Sequence, residues 1–197
     1  MFDLNFFDEY INQLSTEELR KKVKNMLLEL PIYFWSVPAS TSGKYHPITD
    51  LGDGGTLRHS EMVVVVALDL LRTEQFIPET PENKDKVIIA ALFHDSWKCG
   101  TDENGEKTVF EHPDIAAQFV LAQFTEFDFN FGAEIAGAIA THMGKWNKQY
   151  GKNIELMKPL TEFERLIHIA DYMAARKYAY YHKDIKRINQ LYKEKED

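Results

Sequence analysis

Two uninterrupted runs of seven apolar residues, 62–68 and 87–93, place the strongest constraint on how this chain folds. Each run is too short to cross a bilayer, which needs roughly 20 apolar residues. The first run is rich in valine, which favours strands, but it continues to Leu71, and that length favours a helix. Helices that are apolar on nearly all sides lie at the centre of a fold. The sequence therefore predicts two central helices, over residues 57–76 and 83–95.

Further helices are indicated where capping residues precede apolar segments. Thr161 and Glu164 have the spacing of a capping box, and Pro113 stands at a first helical position, which proline favours. No pair of strands with hairpin turn residues is visible, so the fold class is predicted to be all-α. The additional helices are predicted over residues 16–30, 113–124, 131–143 and 161 to about 191.

Residues 31–57 separate the first predicted helix from the central ones. This segment contains three prolines and four glycines, a density that predicts an irregular loop. A loop this long inside a compact domain is usually functional or mobile. We therefore expect the segment to contribute to a functional site.

Composition bounds the class of protein. The chain has 197 residues, enough for one domain with its own core. Its 31 acidic and 23 basic residues give a net charge of −8, which disfavours sequence-independent binding to long nucleic acids. The single cysteine, Cys99, rules out an intramolecular disulfide, and the N-terminus lacks the basic segment of a secretory signal. We therefore expect a cytoplasmic protein with no membrane partner.

Polar residues stand where the predicted apolar helices begin or end. His59 lies at the start of the first central helix, and His94 and Asp95 end the second. His142 ends a further helix, and Asp171 lies on an apolar face of the last. An ionised carboxylate on such a face is costly unless it is paired or binds a cation.

Taken singly, each of these residues has an ordinary structural explanation, such as a hydrogen bond or an ion pair between Asp171 and Arg165 or Arg176. Taken together, they place a His or an Asp on each of four helices, which is how helical bundles build metal sites. Imidazole and carboxylate ligands suit divalent Mn, Fe, Co, Ni or Zn. The pattern therefore predicts a metal centre.

The order of these residues resembles the HD superfamily of metal-dependent phosphohydrolases, whose minimal motif is a His, a His-Asp doublet and a distant Asp. His59, His94-Asp95 and Asp171 match this motif, and His112 and His142 match the extra histidines of two-metal members. Three flanking segments are also similar to family motifs, which read GG-L-x-x-H, hydrophobic-HD-x-x-K, and Asp followed by a basic residue. These segments are residues 54–59, 91–98 and 168–176.

The resemblance implies an HD-domain helical bundle of about 6–8 helices, with the Gly/Pro-rich loop before the first ligand-bearing helix. It covers most of the chain. We therefore predict a single domain over residues 1–197, with its motif-bearing core at about 44–178.

The same resemblance implies the ligand set. His59, His94, Asp95 and Asp171 would hold a first metal, and Asp95 would bridge to a second metal held by His112 and His142. The cofactor would be one or two divalent ions per chain, of Mn, Fe, Co, Ni, Mg or Zn. The implied reaction is hydrolysis of a phosphoester or phosphoanhydride of a nucleotide by a hydroxide between the metals, with Asp95 and Lys98 as catalytic residues.

Substrate contacts are a separate hypothesis. The resemblance implies that Lys98 faces the phosphate, and Lys44, His46 and Arg58 are candidates because they lie in or just after the Gly/Pro-rich loop. Each of these basic residues also has the ordinary explanation of a solvated or loop-filling side chain. The remaining candidates are His168, to orient a ligand, and Trp146, either to stack a base or to pack.

Two other functions stay open at this stage. A 3′-end exonuclease on single-stranded RNA or DNA shares the family motifs but normally needs a nucleic-acid-binding module, and the acidic charge disfavours it. A regulatory module that binds metal without turnover would typically lack a ligand. The substrate is expected to be a small phosphorylated molecule, and the oligomeric state is left open.

Overall fold

The computed structural model describes residues 3, 5–40, 43, 46–149 and 151–176 of the chain. Within these residues the chain is almost entirely helical, and the one β-type pairing is an isolated bridge between Lys148 and Glu155. The all-α prediction is thus confirmed. The helices are α1 (Asp8–Ile11), α2 (Glu17–Leu28), α3 (Gly55–Arg72), α4 (Pro81–Phe93), α5 (His112–Phe124), α6 (Phe129–Ala140) and α7 (Glu162–Ala174).

The two predicted central helices are the core of the bundle. Residues 87–93 of α4 are fully buried, which matches their uninterrupted apolar sequence. Helix α3 packs against α4 and α7, whereas α6 packs against α4 and pairs with α5. Three helices, α3, α6 and α7, therefore pack directly around α4, and α5 joins the bundle through α6.

The central helices end earlier than predicted. Glu74 adopts a left-handed backbone with φ of 52°, which terminates α3 at Arg72. Helix α4 ends at Phe93, so His94 and Asp95 belong to the tight turn that follows it. In that turn the Ser96 amide donates to the Phe93 carbonyl oxygen at 3.1 Å. The turn directs the side chains of successive residues, here His94 and Asp95, to different sides.

The Gly/Pro-rich segment packs more regularly than its composition predicts. It contains two short 3-10 turns, Ile32–Trp35 and Ile48–Asp50, and the first buries Phe34 and Trp35 in the core. The second lies against the start of α3, where a Cβ on Gly55 would collide with the Asp50 carbonyl oxygen. Glycine at position 55 therefore allows the segment to fold tightly over α3.

The last described helix begins as predicted. Thr161 accepts a hydrogen bond from the Glu164 amide, and the Glu164 side chain accepts one from the Thr161 amide, so the capping box is present. Helix α7 ends at Ala174, and the predicted continuation to about 191 lies beyond the described residues. No helix in the described ranges has both the length and the apolar character needed to traverse a membrane.

Candidate metal centre

Five helices bring all six predicted metal ligands to one end of the bundle. His59 lies in α3, Asp171 lies in α7, and His112 is the first residue of α5. His94 and Asp95 follow α4, and His142 follows α6 after one residue. All are buried to 3% exposure or less except Asp171, whose side chain is 20% exposed. The ligands therefore form one buried cluster, with Asp171 at its open side.

The first half of the cluster surrounds Asp171. Its Oδ1 lies 2.9 Å from His59 Nε2 and 3.7 Å from His94 Nε2. His94 Nε2 also lies 3.6 Å from Asp95 Oδ2. Four potential ligand atoms from two helices and one turn thus converge on one small volume.

The second half lies on the other side of Asp95. Asp95 Oδ1 is 3.1 Å from His112 Nε2 and 3.7 Å from His142 Nε2. Because its two carboxylate oxygens face different histidine groups, Asp95 joins the halves. This is the arrangement of a bridging carboxylate.

Backbone carbonyl groups fix which ring nitrogen of three histidines is free. Nδ1 of His94, His112 and His142 lies 2.8, 2.7 and 2.8 Å from the carbonyl oxygen three residues earlier in the chain. A carbonyl oxygen only accepts hydrogen bonds, so each Nδ1 carries the proton. In the neutral rings Nε2 then carries a lone pair that points into the cluster. This is the usual state of a metal-ligating histidine.

Several of the inward-facing atoms have no hydrogen-bond donor among the described residues. These buried acceptors are His94 Nε2, His112 Nε2 and Asp95 Oδ1. Two acceptors 3.1 Å apart, such as His112 Nε2 and Asp95 Oδ1, repel unless a cation or proton lies between them. Groups of three potential ligand atoms lie within 4.8 Å of one another on each side of Asp95. The donor set therefore fits divalent metal ions.

Electrostatics keep these groups in their ligating protonation states. Burial lowers the pKa of His94, and burial with the adjacent His94 lowers the pKa of His142 to about 3. Burial raises the pKa of Asp95, but Lys98, His94 and His112 together outweigh it, so the pKa lies well below its usual range. The pKa of Asp171 is lowered because its hydrogen bond with His59 and the nearby His94 and His142 together outweigh burial. At neutral pH these imidazoles are neutral and these carboxylates are ionised, as metal binding requires.

Asp50 is a site residue that the sequence did not reveal. Its Oδ2 lies 3.6 Å from His59 Nδ1 and 3.5 Å from His46 Nδ1, on the far side of the His59 ring from Asp171. Bonds with Asp171 and Asp50 outweigh burial and raise the pKa of His59 to about 9. Asp50 thus faces Nδ1 while Nε2 faces the ligand cluster. It lies in the irregular segment, where no helical or strand period signals a buried face.

Arg58 supports this arrangement from the loop side. Its Nε donates to the Thr49 carbonyl oxygen at 2.5 Å, which ties α3 to the 3-10 turn that carries Asp50. Arg58 is absent from the lining of the cavity over the cluster, whereas His46 is part of that lining. Lys44, the remaining loop candidate, lies outside the described residues.

Lys98 lies in the turn after α4, and its ammonium contacts Asp95 Oδ2. Its side chain is 10% exposed and lines the cavity. The Val109 amide donates to the Lys98 carbonyl oxygen at 2.9 Å, so the following loop fixes the lysine backbone. A cation is therefore held beside the ligand cluster and within reach of the cavity.

The cavity over the cluster has a volume of about 550 Å³, in the range of small-molecule sites. Its floor includes five of the six predicted ligands, all except His94, and its rim includes residues of α7 and of the turn after α6. His168 lies behind the rim and donates from Nδ1 to the His142 carbonyl oxygen at 2.7 Å. The predicted orienting role of His168 is consistent with this bond.

Comparison with known proteins gives a family and one curated relative. A model of the HD domain family matches residues 56–176. The dihydroneopterin 2′,3′-cyclic phosphate phosphodiesterase of Methanocaldococcus jannaschii is 25% identical over 171 residues, which cover 81% of this chain and 64% of that protein. The match thus spans less than two thirds of the relative's length. No solved structure matches the chain.

Proposed function

The chain belongs to the HD domain family, and on that premise we propose that it is a metal-dependent phosphohydrolase of small phosphorylated molecules. The proposed substrate class is a phosphoester or phosphoanhydride of a nucleotide. The observation that carries the proposal is the pair of acceptor clusters joined by Asp95, whose two oxygens face His94 and His112 from opposite sides.

The residues that would hold metal follow from these two clusters. One ion would bind His59, His94, Asp95 and Asp171, and a second would bind Asp95, His112 and His142. When bound, two divalent cations lower the pKa of a water between them and clamp a phosphoryl oxygen. The imidazole-rich set favours Mn, Fe, Co, Ni or Zn over Mg, which prefers all-oxygen ligands.

The chain itself supplies a fixed positive charge. The Lys98 ammonium is held by Asp95 at the edge of the cavity. It is therefore already in place to contact a phosphoryl oxygen of a bound substrate. Such a preorganised cation stabilises the negative charge that develops on the phosphoryl group. His46 lines the same cavity and offers a further contact to the substrate.

Direct hydrolysis by water fits the side chains around the cavity. Cys99 is buried, burial raises the pKa of its thiol, and it does not line the cavity. A thiol in that state is a poor nucleophile.

The curated relative supports a small substrate. It is named for a cyclic phosphodiester of dihydroneopterin rather than for a nucleic acid. A cavity of about 550 Å³ is also suited to one small molecule. Both observations favour a nucleotide-sized substrate over a long strand.

The proposal is tested by product analysis with added Mn²⁺. Purified protein is incubated with nucleoside mono- and triphosphates, 2′,3′-cyclic nucleotides and labelled oligonucleotides. We expect turnover of one class of small substrate, with an affinity that depends only weakly on salt. Shortening of the oligonucleotides with a steep salt dependence would instead indicate an exonuclease. Bound metal without turnover of any substrate would indicate a regulatory module.

A further inference from the structure

An aromatic stack stands at the rim of the cavity. The rings of Trp146 and Tyr172 are nearly parallel, at 16°, with centroids 5.3 Å apart. Both residues line the cavity that contains the ligand cluster, and Trp146 is 43% exposed. Large aromatic residues that remain exposed at a cavity rim are typical ligand contacts, because they offer a wide apolar face at low entropic cost.

The chain fixes this stack relative to the ligand cluster. Tyr172 directly follows Asp171 in α7, and Trp146 ends the 3-10 turn Gly144–Trp146 that comes after His142. His168 donates to the His142 carbonyl oxygen. The His168 and Trp146 rings meet edge to face, with their centroids 6.1 Å apart. The distance from the stack to the cluster is therefore set by covalent neighbours and by a partly buried hydrogen bond.

Gly144 is the residue that permits this geometry. Its φ of 54° is left-handed, and a Cβ at this position would collide with the His168 ring. Glycine thus lets the turn close directly over His168. The close approach brings the Trp146 ring onto Tyr172.

Two cations accompany the aromatic rings. Lys145 Nζ lies 4.7 Å from the Trp146 centroid and 5.8 Å from the Tyr172 centroid. The Arg176 guanidinium lies 4.2 Å from the Tyr172 centroid, and both cationic residues line the cavity. Aromatic faces combined with basic groups are the recognition chemistry of ligands that have a planar ring and an anionic group.

We propose that the Trp146–Tyr172 stack, flanked by the cationic groups of Lys145 and Arg176, binds a planar heteroaromatic ring of the substrate. The inference rests on the proposed function in that it places the phosphate at the ligand cluster. It goes beyond that function because it assigns the discrimination between ring-bearing and ring-free phosphoesters to one pair of residues.

The competing explanation is that the stack only packs the turn after α6 against α7. Removal of the Trp146 ring would then weaken binding of all ligands alike, through a displaced His142. A ring-binding role instead predicts a loss that depends on the ligand. The two explanations are separated by comparing probes that differ in the ring alone.

The test measures equilibrium binding by calorimetry to the full chain before metal is added. The probes are AMP, GMP, CMP and UMP, with ribose 5-phosphate as the ring-free partner. The variants are W146A, W146F to restore a ring, and F129A as a control at another exposed aromatic residue outside the cavity lining. Thermal melting verifies that each variant is folded.

We expect at least one nucleotide to bind more tightly than ribose 5-phosphate. W146A should weaken the binding of that nucleotide roughly 5- to 150-fold, which is the range for loss of one stacked base. The affinity for ribose 5-phosphate should stay nearly unchanged. W146F should recover most of the affinity, and F129A should behave as the wild type. Equal losses for both kinds of probe, or no nucleotide that binds more tightly than ribose 5-phosphate, would overturn the inference.

This binding test is independent of turnover. Ring-selective binding that depends on Trp146, without hydrolysis of these probes, of nucleoside triphosphates or of 2′,3′-cyclic nucleotides after Mn²⁺ is added, would refute the proposed function and leave the inference standing. Hydrolysis of nucleotides and ribose 5-phosphate at equal rates, unaffected by W146A, would refute the inference alone.

Discussion

Asp50 Oδ2 lies 3.6 Å from His59 Nδ1, so a carboxylate from the Gly/Pro-rich segment faces one ring nitrogen while the other faces Asp171. The same Asp50 oxygen lies 3.5 Å from His46 Nδ1. Bonds with His46 and His59 outweigh the cost of burial and lower the pKa of Asp50 to about 2, so it is ionised at neutral pH. A carboxylate in this position fixes the ring orientation and makes the ligating nitrogen more basic.

Replacement of Asp50 should therefore weaken metal binding. We expect Asp50→Ala to reduce Mn²⁺ affinity about 10- to 100-fold, the usual effect of losing such a partner. Asp50→Asn should lose less, because an amide oxygen at this position still presents an acceptor to His59 Nδ1. Calorimetric titration with Mn²⁺ measures both, and Asp53→Asn, at an exposed position three residues along the chain, is the matched control. Equal affinities for Asp50→Ala and Asp53→Asn would show that Asp50 has no orienting role.

His112 tests whether the centre holds two ions. Its Nε2 faces Asp95 Oδ1, away from the cluster around Asp171. We expect His112→Ala to lower the bound metal from about two ions per chain to about one and to reduce turnover at least tenfold, since one arm of the phosphoryl clamp is lost. Elemental analysis and a phosphate-release assay measure the two effects. An unchanged rate would argue for a single catalytic metal.

Lys98 should affect turnover more than metal binding. Its ammonium contacts Asp95 Oδ2 and lines the cavity, so it is placed to stabilise phosphoryl charge. We expect Lys98→Ala to lower kcat roughly 100-fold, comparable to the loss of one transition-state donor, with metal content preserved. Lys107→Ala, on the exposed part of the next loop, is the control. Loss of metal from Lys98→Ala would instead assign the lysine a role in holding Asp95.

The metal-free protein should be most stable near neutral pH. Burial and the adjacent His94 lower the pKa of His142 to about 3, so below 6.5 the unfolded chain binds a proton that the folded chain excludes, and stability falls. The pKa of His59 is raised to about 9 by Asp171 and Asp50 against the effect of burial, so its contribution is complete below 6.5 and is lost as pH rises through 9.

Melting temperatures of chelator-treated protein check this expectation. The highest value should occur near pH 7, with lower values near pH 5 and near pH 9. A steady rise from the acidic to the alkaline sample would contradict the raised pKa of His59.

The sequence predicted the central helices, and it singled out six residues that the structure brings together, because both depend on short-range patterns. Residues 87–93 can only be buried, and a His-Asp doublet at the end of that segment lies at the edge of the core by necessity. The capping box at Thr161 likewise fixed the start of α7. Such features can be predicted from the sequence without knowing which helices pack together.

The contribution of the loop could not be predicted in the same way. Asp50 and Arg58 act through a 3-10 turn and a backbone carbonyl group, and neither leaves a periodic signal in the sequence. The short helix α1 was also missed. Its four residues are too few for a periodic pattern, and it is held by long-range packing, as Phe7 is fully buried and Tyr10 donates to Glu61.

Metal content compared between the wild type and Asp95→Asn tests the proposed centre most directly. The substitution keeps the shape of the side chain but removes the bridging negative charge. Protein purified without a metal-affinity step and incubated with Mn²⁺ should contain close to two ions per chain, whereas Asp95→Asn should retain little metal and no phosphohydrolase activity, with its helical circular dichroism intact. Wild-type protein that binds no divalent ion, or Asp95→Asn that keeps its activity, would contradict the two-metal centre.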